Sequence, residues 1–85
     1  MQVDKTPDDT AAIEPARKLI AQLLCMPEAR VSADQRLLDE LAMDSLEILE
    51  LSIKLEERWG ITLDETILPR LETVRDVAVL IGQYM

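Results

Sequence analysis

Few side chains in this sequence of 85 residues are suited to chemistry. It has no histidine, which excludes a Ser-His-Asp triad and an imidazole proton shuttle. Its single cysteine, Cys25, excludes an internal disulfide and a Cys/His metal cluster. Because Cys25 has no base or second thiol nearby in sequence, we expect it to be a buried structural thiol. An enzyme that acts on its own is therefore not expected.

The one serine with a suggestive setting is Ser45, in the stretch Leu-Ala-Met-Asp-Ser-Leu-Glu of residues 41–47. Asp44 and Glu47 have the spacing of a capping box, which predicts a helix that begins at the serine. A long connection precedes this helix and leaves the hydroxyl accessible. Serine is also common at helix starts for purely structural reasons, so the pattern alone leaves both roles open.

The first helix is predicted from apolar residues that recur at helical spacing up to about Leu24. Its start is ambiguous, because Thr10 could cap it, whereas Pro15 is easier to place as the first helical residue. The polar residues before it, 1–10, are expected to form a flexible leader. Residues 11–85 then form the single domain that this length allows.

Two further helices carry clearer signals at their ends. The second spans about Ser45 to Trp59 and is closed by a left-handed Gly60, and the last opens at Val74 behind a Thr73–Asp76 capping box. The core stripe of the second helix is expected to contain Leu46, Leu49 and Ile53, widened by Ile48, Leu51, Leu55 and Trp59. The inner face of the last helix is expected to contain Val74, Val77, Ala78, Ile81 and Tyr84.

The segments between the helices are also informative. Residues 27–43 form a long connection whose apolar residues, Val31, Leu37, Leu38 and Leu41, are expected to lie across the core. Residues 67–71 are apolar but interrupted by Pro69, which allows at most one turn of helix. The predicted fold is all-α: a small bundle of three main helices plus one short helix, a four-helix bundle with a long loop between helices one and two.

Acidic residues outnumber basic ones by 17 to 9, for a formal net charge of −8. Most of the excess lies in residues 34–65, which hold ten acidic and three basic side chains. Such a chain is repelled by nucleic acids and anionic membranes and is attracted to basic protein surfaces. An acidic helix face can also serve only to keep a small protein in solution.

The location of the protein is predicted from two absences in the sequence. No apolar run approaches the roughly 20 residues of a membrane span. The first residues lack the basic and apolar regions of a secretion signal. We expect a cytoplasmic monomer that neither binds nucleic acid nor inserts into membranes, with its thiol reduced.

The sequence resembles the acyl carrier proteins over roughly residues 13–84. Three features carry the resemblance: Asp-Ser-Leu at residues 44–46, the Glu-Glu-Arg-Trp-Gly-Ile close of the second helix at residues 56–61, and the Thr-Val opening of the last helix at residues 73–74. The tripeptide alone is a weak signal. Its position at a helix start, about fourteen residues before an aromatic-Gly cap in an acidic all-α chain, makes the combination specific.

The resemblance implies that Ser45 carries 4′-phosphopantetheine, attached from coenzyme A by a phosphopantetheinyl transferase. Simple electrostatics agrees, because a helix start offers free N–H groups and the positive end of the helix dipole to a phosphodiester. The chain would then be a non-catalytic carrier that holds acyl intermediates as thioesters for acyl-loading and acyl-processing enzymes.

The resemblance also implies a surface that binds partner enzymes. Asp44 would cap the helix and pair with basic residues of the modifying enzyme. Leu46 would lie on the contact face or, alternatively, in the core stripe, and Met43 would contact partners or only fill the loop. The acidic residues that would dock on basic enzyme patches are Glu47, Glu50 and Glu57.

Two departures from the family pattern bear on the pathway. Ala42 stands where members usually have glycine, and residues 66–72 are more apolar than the acidic third-helix region of fatty-acid carriers. They favour polyketide, secondary-metabolite or specialised fatty-acyl synthesis over housekeeping fatty-acid synthesis. Because Pro69 stiffens the wall that would flank a cavity between the helices, we expect a cargo that is short, polar or only transiently sheltered.

Two alternatives remain open at this point. An aminoacyl or peptidyl carrier would share the attached arm but more often shows Gly-Gly-x-Ser and a less acidic second helix. An unmodified acidic helical module that binds a basic protein would share the charge but not the arm.

Overall fold

The structure, a computed structural model, describes residues 7–85, with the side chains described from residue 12 onward. This part of the chain contains three α-helices: α1 (Pro7–Leu24), α2 (Ser45–Trp59) and α3 (Val74–Tyr84). The predicted all-α class is confirmed.

Two 3₁₀ turns, Glu28–Arg30 and Leu68–Arg70, lie in the connections before and after α2. The second is the predicted short helix, reduced to one turn by Pro69. The description as a four-helix bundle is therefore not met by the described residues. The first turn was not predicted, because its local sequence carries no capping side chain.

The start of α1 lies earlier than predicted. The helix begins at Pro7, so Pro15 stands inside it and not at its first position. A proline in a helix interior removes one hydrogen bond and costs about 3 kcal/mol. Ala12 and Ala16 are fully buried on either side of it, so packing of this part of α1 outweighs the local cost. Of the predicted leader, residues 1–6 lie outside the described residues, and 7–10 belong to α1.

The ends of α2 and the start of α3 are as predicted. Both helices begin with a complete capping box, Asp44 with Glu47 and Thr73 with Asp76. Gly60 closes α2 with φ of 71°, a conformation that glycine adopts without steric cost.

The aliphatic core lies mainly between α1 and α3, with α2 packed on it through Leu51 and Leu55. The predicted core stripe of α2 is confirmed for Leu51 and Leu55 but wrong for Leu46, Leu49 and Ile53, which are exposed by 62%, 54% and 45%. Apolar residues occupy most of the circumference of α2, so their period could not show which side is buried. On α3, Tyr84 is also exposed, and Leu80 is buried instead.

The connection before α2 is anchored to the start of α3. Three backbone hydrogen bonds join residues 33–37 to residues 72–75: Leu37 N–H to Glu72 O at 2.8 Å, Val74 N–H to Gln35 O at 3.1 Å, and Arg75 N–H to Ala33 O at 2.7 Å. The Arg75 guanidinium also donates to Asp34 at 3.1 Å. We call these contacts the loop anchor.

A second attachment holds the beginning of the same connection to α1. The guanidinium of Arg17 donates to the carbonyl oxygens of Val31 at 2.7 Å and Glu28 at 2.9 Å. As predicted, Val31 and Leu37 are buried, whereas Leu38 is exposed, contrary to the prediction.

Candidate functional site

Ser45 is the first residue of α2 and is exposed to solvent. The first N–H groups of any helix have no intrahelical acceptor. Here the carboxylate of Asp44 accepts from the N–H of Glu47 at 2.9 Å. The N–H groups of Ser45 and Leu46 have no acceptor among the described residues. A phosphate ester on the serine oxygen would therefore lie beside free donors and at the positive end of the helix dipole.

The capping box fixes the helix start around the serine. Glu47 returns the hydrogen bond by accepting from the N–H of Asp44 at 3.1 Å. Both carboxylates are thus held by backbone donors. The negative charge of these carboxylates repels a neighbouring phosphate, so Asp44 does not help to bind it. The physical roles left for Asp44 are to cap the helix and to attract basic partners.

The backbone just before the serine turns sharply at Ala42, which has φ of 55°. L-residues rarely adopt this left-handed conformation, and glycine adopts it freely. Met43 follows, donates its N–H to Leu37 O at 3.0 Å and is only 3% exposed. Burial of its side chain agrees with the loop-packing alternative for Met43.

An apolar groove of about 580 Å³ opens beside Ser45. Its walls come from the connection before α2, from α2 itself and from the segment after α2. The apolar lining residues are Leu37, Leu38, Ile48, Leu49, Leu51, Leu63, Leu68 and Leu71. Two serines, Ser45 and Ser52, complete the lining.

The segment after α2 is folded around Asp64. Its carboxylate accepts from the hydroxyl of Thr66 at 2.6 Å and from the N–H groups of Thr66 and Ile67 at 2.9 and 3.1 Å. These bonds, the hydroxyl first, lower the pKa of Asp64 below its ordinary value of 3.8. This turn leads into Leu68–Arg70 and so shapes the groove wall that contains Leu68 and Leu71.

The exposed apolar stripe of α2 lies beside acidic side chains. At 3.6 residues per turn, Leu46 and Ile53 share one side, roughly opposite Leu51. Glu50 and Glu57 follow within about 60° around the helix and are exposed. Among the residues that the structure describes, Glu57 pairs with Lys54 alone, at 3.8 Å. We call Leu46, Leu49, Glu50, Ile53 and Glu57 the α2 surface.

Cys25 is exposed and not buried as predicted. It follows the last residue of α1 with φ of 56°, the left-handed conformation that ends many helices. Within the described residues, no group of histidine, cysteine, aspartate and glutamate side chains is placed to hold a metal ion.

The groove was largely missed by sequence reasoning. The sequence predicts that the short segment at residues 67–71 flanks a cavity, but it does not assign Leu38, Ser52 or Leu63 to one. The sequence carried no clear signal for the groove, because Leu38 and Leu49 were expected in the core. In the structure Leu38, Leu49 and Leu68 are all exposed by 40% or more.

Comparison with known proteins agrees with this geometry. Residues 15–81 match the family model described as "Phosphopantetheine attachment site". Similar curated proteins include the acyl carrier proteins of Thermotoga maritima (29% identical, covering 81% of this chain and 85% of that protein) and of Zymomonas mobilis (30% identical, covering 89% and 95%). The acyl carrier protein of Exiguobacterium sibiricum is 34% identical, and the match covers 72% of this chain and 77% of that protein.

The chain belongs to the acyl carrier protein family, whose prosthetic group is 4′-phosphopantetheine. The residues present fit that group: an exposed serine, free N–H donors for a phosphate, and an adjacent apolar groove. No helix among the described residues has the length and apolar character needed to cross a bilayer.

Proposed function

We propose that this protein carries acyl intermediates as thioesters on a phosphopantetheine arm at Ser45 and presents them to partner enzymes without catalysing a reaction itself. The observation that carries the proposal is the position of Ser45, exposed at the first position of α2 and on the edge of the leucine-lined groove. The bound arm supplies a thiol for the acyl group. The protein's own residues hold the phosphate and shelter part of the cargo.

The partners proposed are a phosphopantetheinyl transferase and acyl-loading and acyl-processing enzymes with basic patches. The α2 surface supports this, because it combines exposed leucines with the exposed carboxylates of Glu50 and Glu57. Glu47 adds negative charge beside this surface, and Asp44 adds negative charge next to the serine. Both residues also cap the helix.

For the pathway, we propose polyketide, secondary-metabolite or specialised fatty-acyl synthesis. Ala42 in a left-handed turn and the apolar segment at residues 66–72 support a member adapted to a dedicated task. The groove offers room for an aliphatic portion of a cargo. A cargo that is short, polar or only transiently sheltered remains a prediction.

Modification of Ser45 tests this proposal. Incubation with coenzyme A and a permissive transferase should add one phosphopantetheine, measured by intact-protein mass spectrometry. Ser45→Ala should abolish the addition. Ser52→Ala, which removes the other serine of the same helix, should leave it intact.

Two results would contradict the proposal: mass addition in the Ser45→Ala variant, or no addition to the unaltered protein with several transferases. The second result would favour the unmodified acidic module. An aminoacyl or peptidyl cargo would be distinguished by the mass of the group loaded onto the arm in the native host.

A further inference from the structure

Ser52 interrupts the apolar lining of the groove. Apart from Ser45, it is the one polar residue in that lining, among eight leucine and isoleucine side chains. It is half-buried, and its hydroxyl makes no hydrogen bond to any residue that the structure describes. A hydroxyl that loses water without gaining another partner is unfavourable.

The spacing of the two serines places Ser52 along the path of an arm-borne chain. Seven residues separate them, so they lie about 20° apart around α2 and about 10.5 Å apart along its axis. Both line the same groove. A chain attached through Ser45 that enters the groove therefore passes on the side of α2 where the Ser52 hydroxyl lies.

The chemistry of the occupant decides what happens to this hydroxyl. A saturated chain would displace water from Ser52 and offer no hydrogen bond in return. A chain with a keto or hydroxyl oxygen could accept from the Ser52 O–H while its methylene groups contact the leucines. The groove is thus suited to a chain that is partly aliphatic and partly oxygenated.

We propose that Ser52 is a specificity-determining residue that favours acyl chains bearing a keto or hydroxyl oxygen over saturated chains of the same length. This inference rests on the proposed carrier function. It narrows the cargo to incompletely reduced acyl groups.

The test uses the full chain with matched cargoes attached to the arm through an amide, which resists hydrolysis. One cargo is a saturated eight-carbon acyl group, and the others are the same chain with a keto group at C3, C5 or C7. A ¹³C label in the chain reports by NMR the ratio of sheltered to extended chain. The proteins compared are the unaltered chain, Ser52→Ala and, as a matched control outside the groove, Ser32→Ala.

We expect at least one keto chain to be sheltered more than the saturated chain in the unaltered protein. That preference should fall about fivefold in Ser52→Ala, the effect of losing one ordinary hydrogen bond. Ser32→Ala should not change it, because Ser32 lies in the connection before α2 and does not line the groove.

Two results would overturn the inference: an unchanged preference in Ser52→Ala, or no entry of any chain into the groove. An unchanged preference with equally altered shelter of the saturated and keto chains would mean that Ser52 binds the arm and not the cargo. Failure to attach any arm to Ser45 would instead refute the carrier function itself, and the inference with it.

Discussion

At the scale of single residues, Ala42 has the least favourable backbone near the site. Its φ of 55° costs an L-residue roughly 1–2 kcal/mol. The turn persists because the loop around it is held by Met43 N–H to Leu37 O and by Leu41 N–H to Arg36 O, both at 3.0 Å. The neighbours thus impose on alanine a conformation that glycine adopts without steric cost.

Ala42→Gly is expected to stabilise the protein. The glycine removes the steric cost, and part of this gain is offset by the greater freedom of glycine in the unfolded chain. A net gain of about 0.5–1 kcal/mol in the free energy of unfolding, or roughly 2–8 °C in Tm, should result.

Thermal unfolding followed by circular dichroism measures this effect. Ala29→Gly is the control, because Ala29 is also exposed and has no left-handed backbone. The control should lower the free energy of unfolding or leave it unchanged. A loss of stability in Ala42→Gly would show that the turn is not strained.

At the scale of elements, the sequence predicted best where a single residue type marks a helix end. Asp44, Gly60 and Thr73 each bond or shape the local backbone, so their effect does not depend on distant residues. The start of α1 and the buried side of α2 could not be predicted in this way. Both depend on tertiary packing, which outweighs the cost of Pro15 and selects Leu51 over Leu46.

The same distinction explains what was predicted of the site. Ser45 could be found because its motif is contiguous. The groove combines three separate segments, and Ser52 faces it only because α2 is rotated with Leu51 inward. No local pattern contains that information.

The turn around Asp64 leads to a prediction on pH. Its lowered pKa means that the folded state favours the ionised carboxylate. The contribution to stability is therefore fully present above the ordinary value of 3.8 and is lost as the pH falls through the lower pKa of the folded state.

Asp64→Asn should isolate this effect, because asparagine can still accept the turn hydrogen bonds but does not titrate. The difference in Tm between the unaltered protein and the variant should be largest near pH 6 and shrink as the pH falls below about 4. Glu65→Gln, which changes an adjacent exposed acid with no hydrogen bond in the described residues, is the control. A difference in Tm that stays constant from pH 6 to pH 2 would contradict a stabilising role of the ionised Asp64 carboxylate.

At the scale of the whole molecule, charge is concentrated where the helix that carries the serine begins and runs. Ten of the 17 acidic residues lie in residues 34–65. Within the described chain none of these charges is buried. They attract a basic partner from a distance and act more on the rate of association than on the contacts of the final complex.

Reversing Glu50 and Glu57 together to lysine should slow association with a phosphopantetheinyl transferase several-fold at low salt. Neither residue caps the helix, so the helix start stays intact. The effect should shrink as added salt shortens the screening length from about 10 Å at 0.1 M to about 3 Å at 1 M. Stopped-flow measurement of the association rate across that range provides the test.

The same charge reversal, made once on α1 and once on α2, distinguishes an effect of the position of the charge from an effect of the net charge. Glu14→Lys serves as the single-site control for Glu50→Lys, since Glu14 is exposed on α1 and its contact with Arg17 is long, at 3.9 Å. Equal slowing by both variants would attribute the effect to net charge. No slowing by either would assign these glutamates to solubility.

The loop anchor also has a consequence for the order in which the site is completed. The hydrogen bonds that hold residues 33–37 come from residues 72–75, nearly forty positions further along the chain. Closing so long a loop is slow compared with forming a helix. During synthesis, α2 with its serine leaves the ribosome before residues 72–75, which hold the connection that leads into α2. The surroundings of Ser45 therefore become complete only after the chain has been translated beyond residue 75.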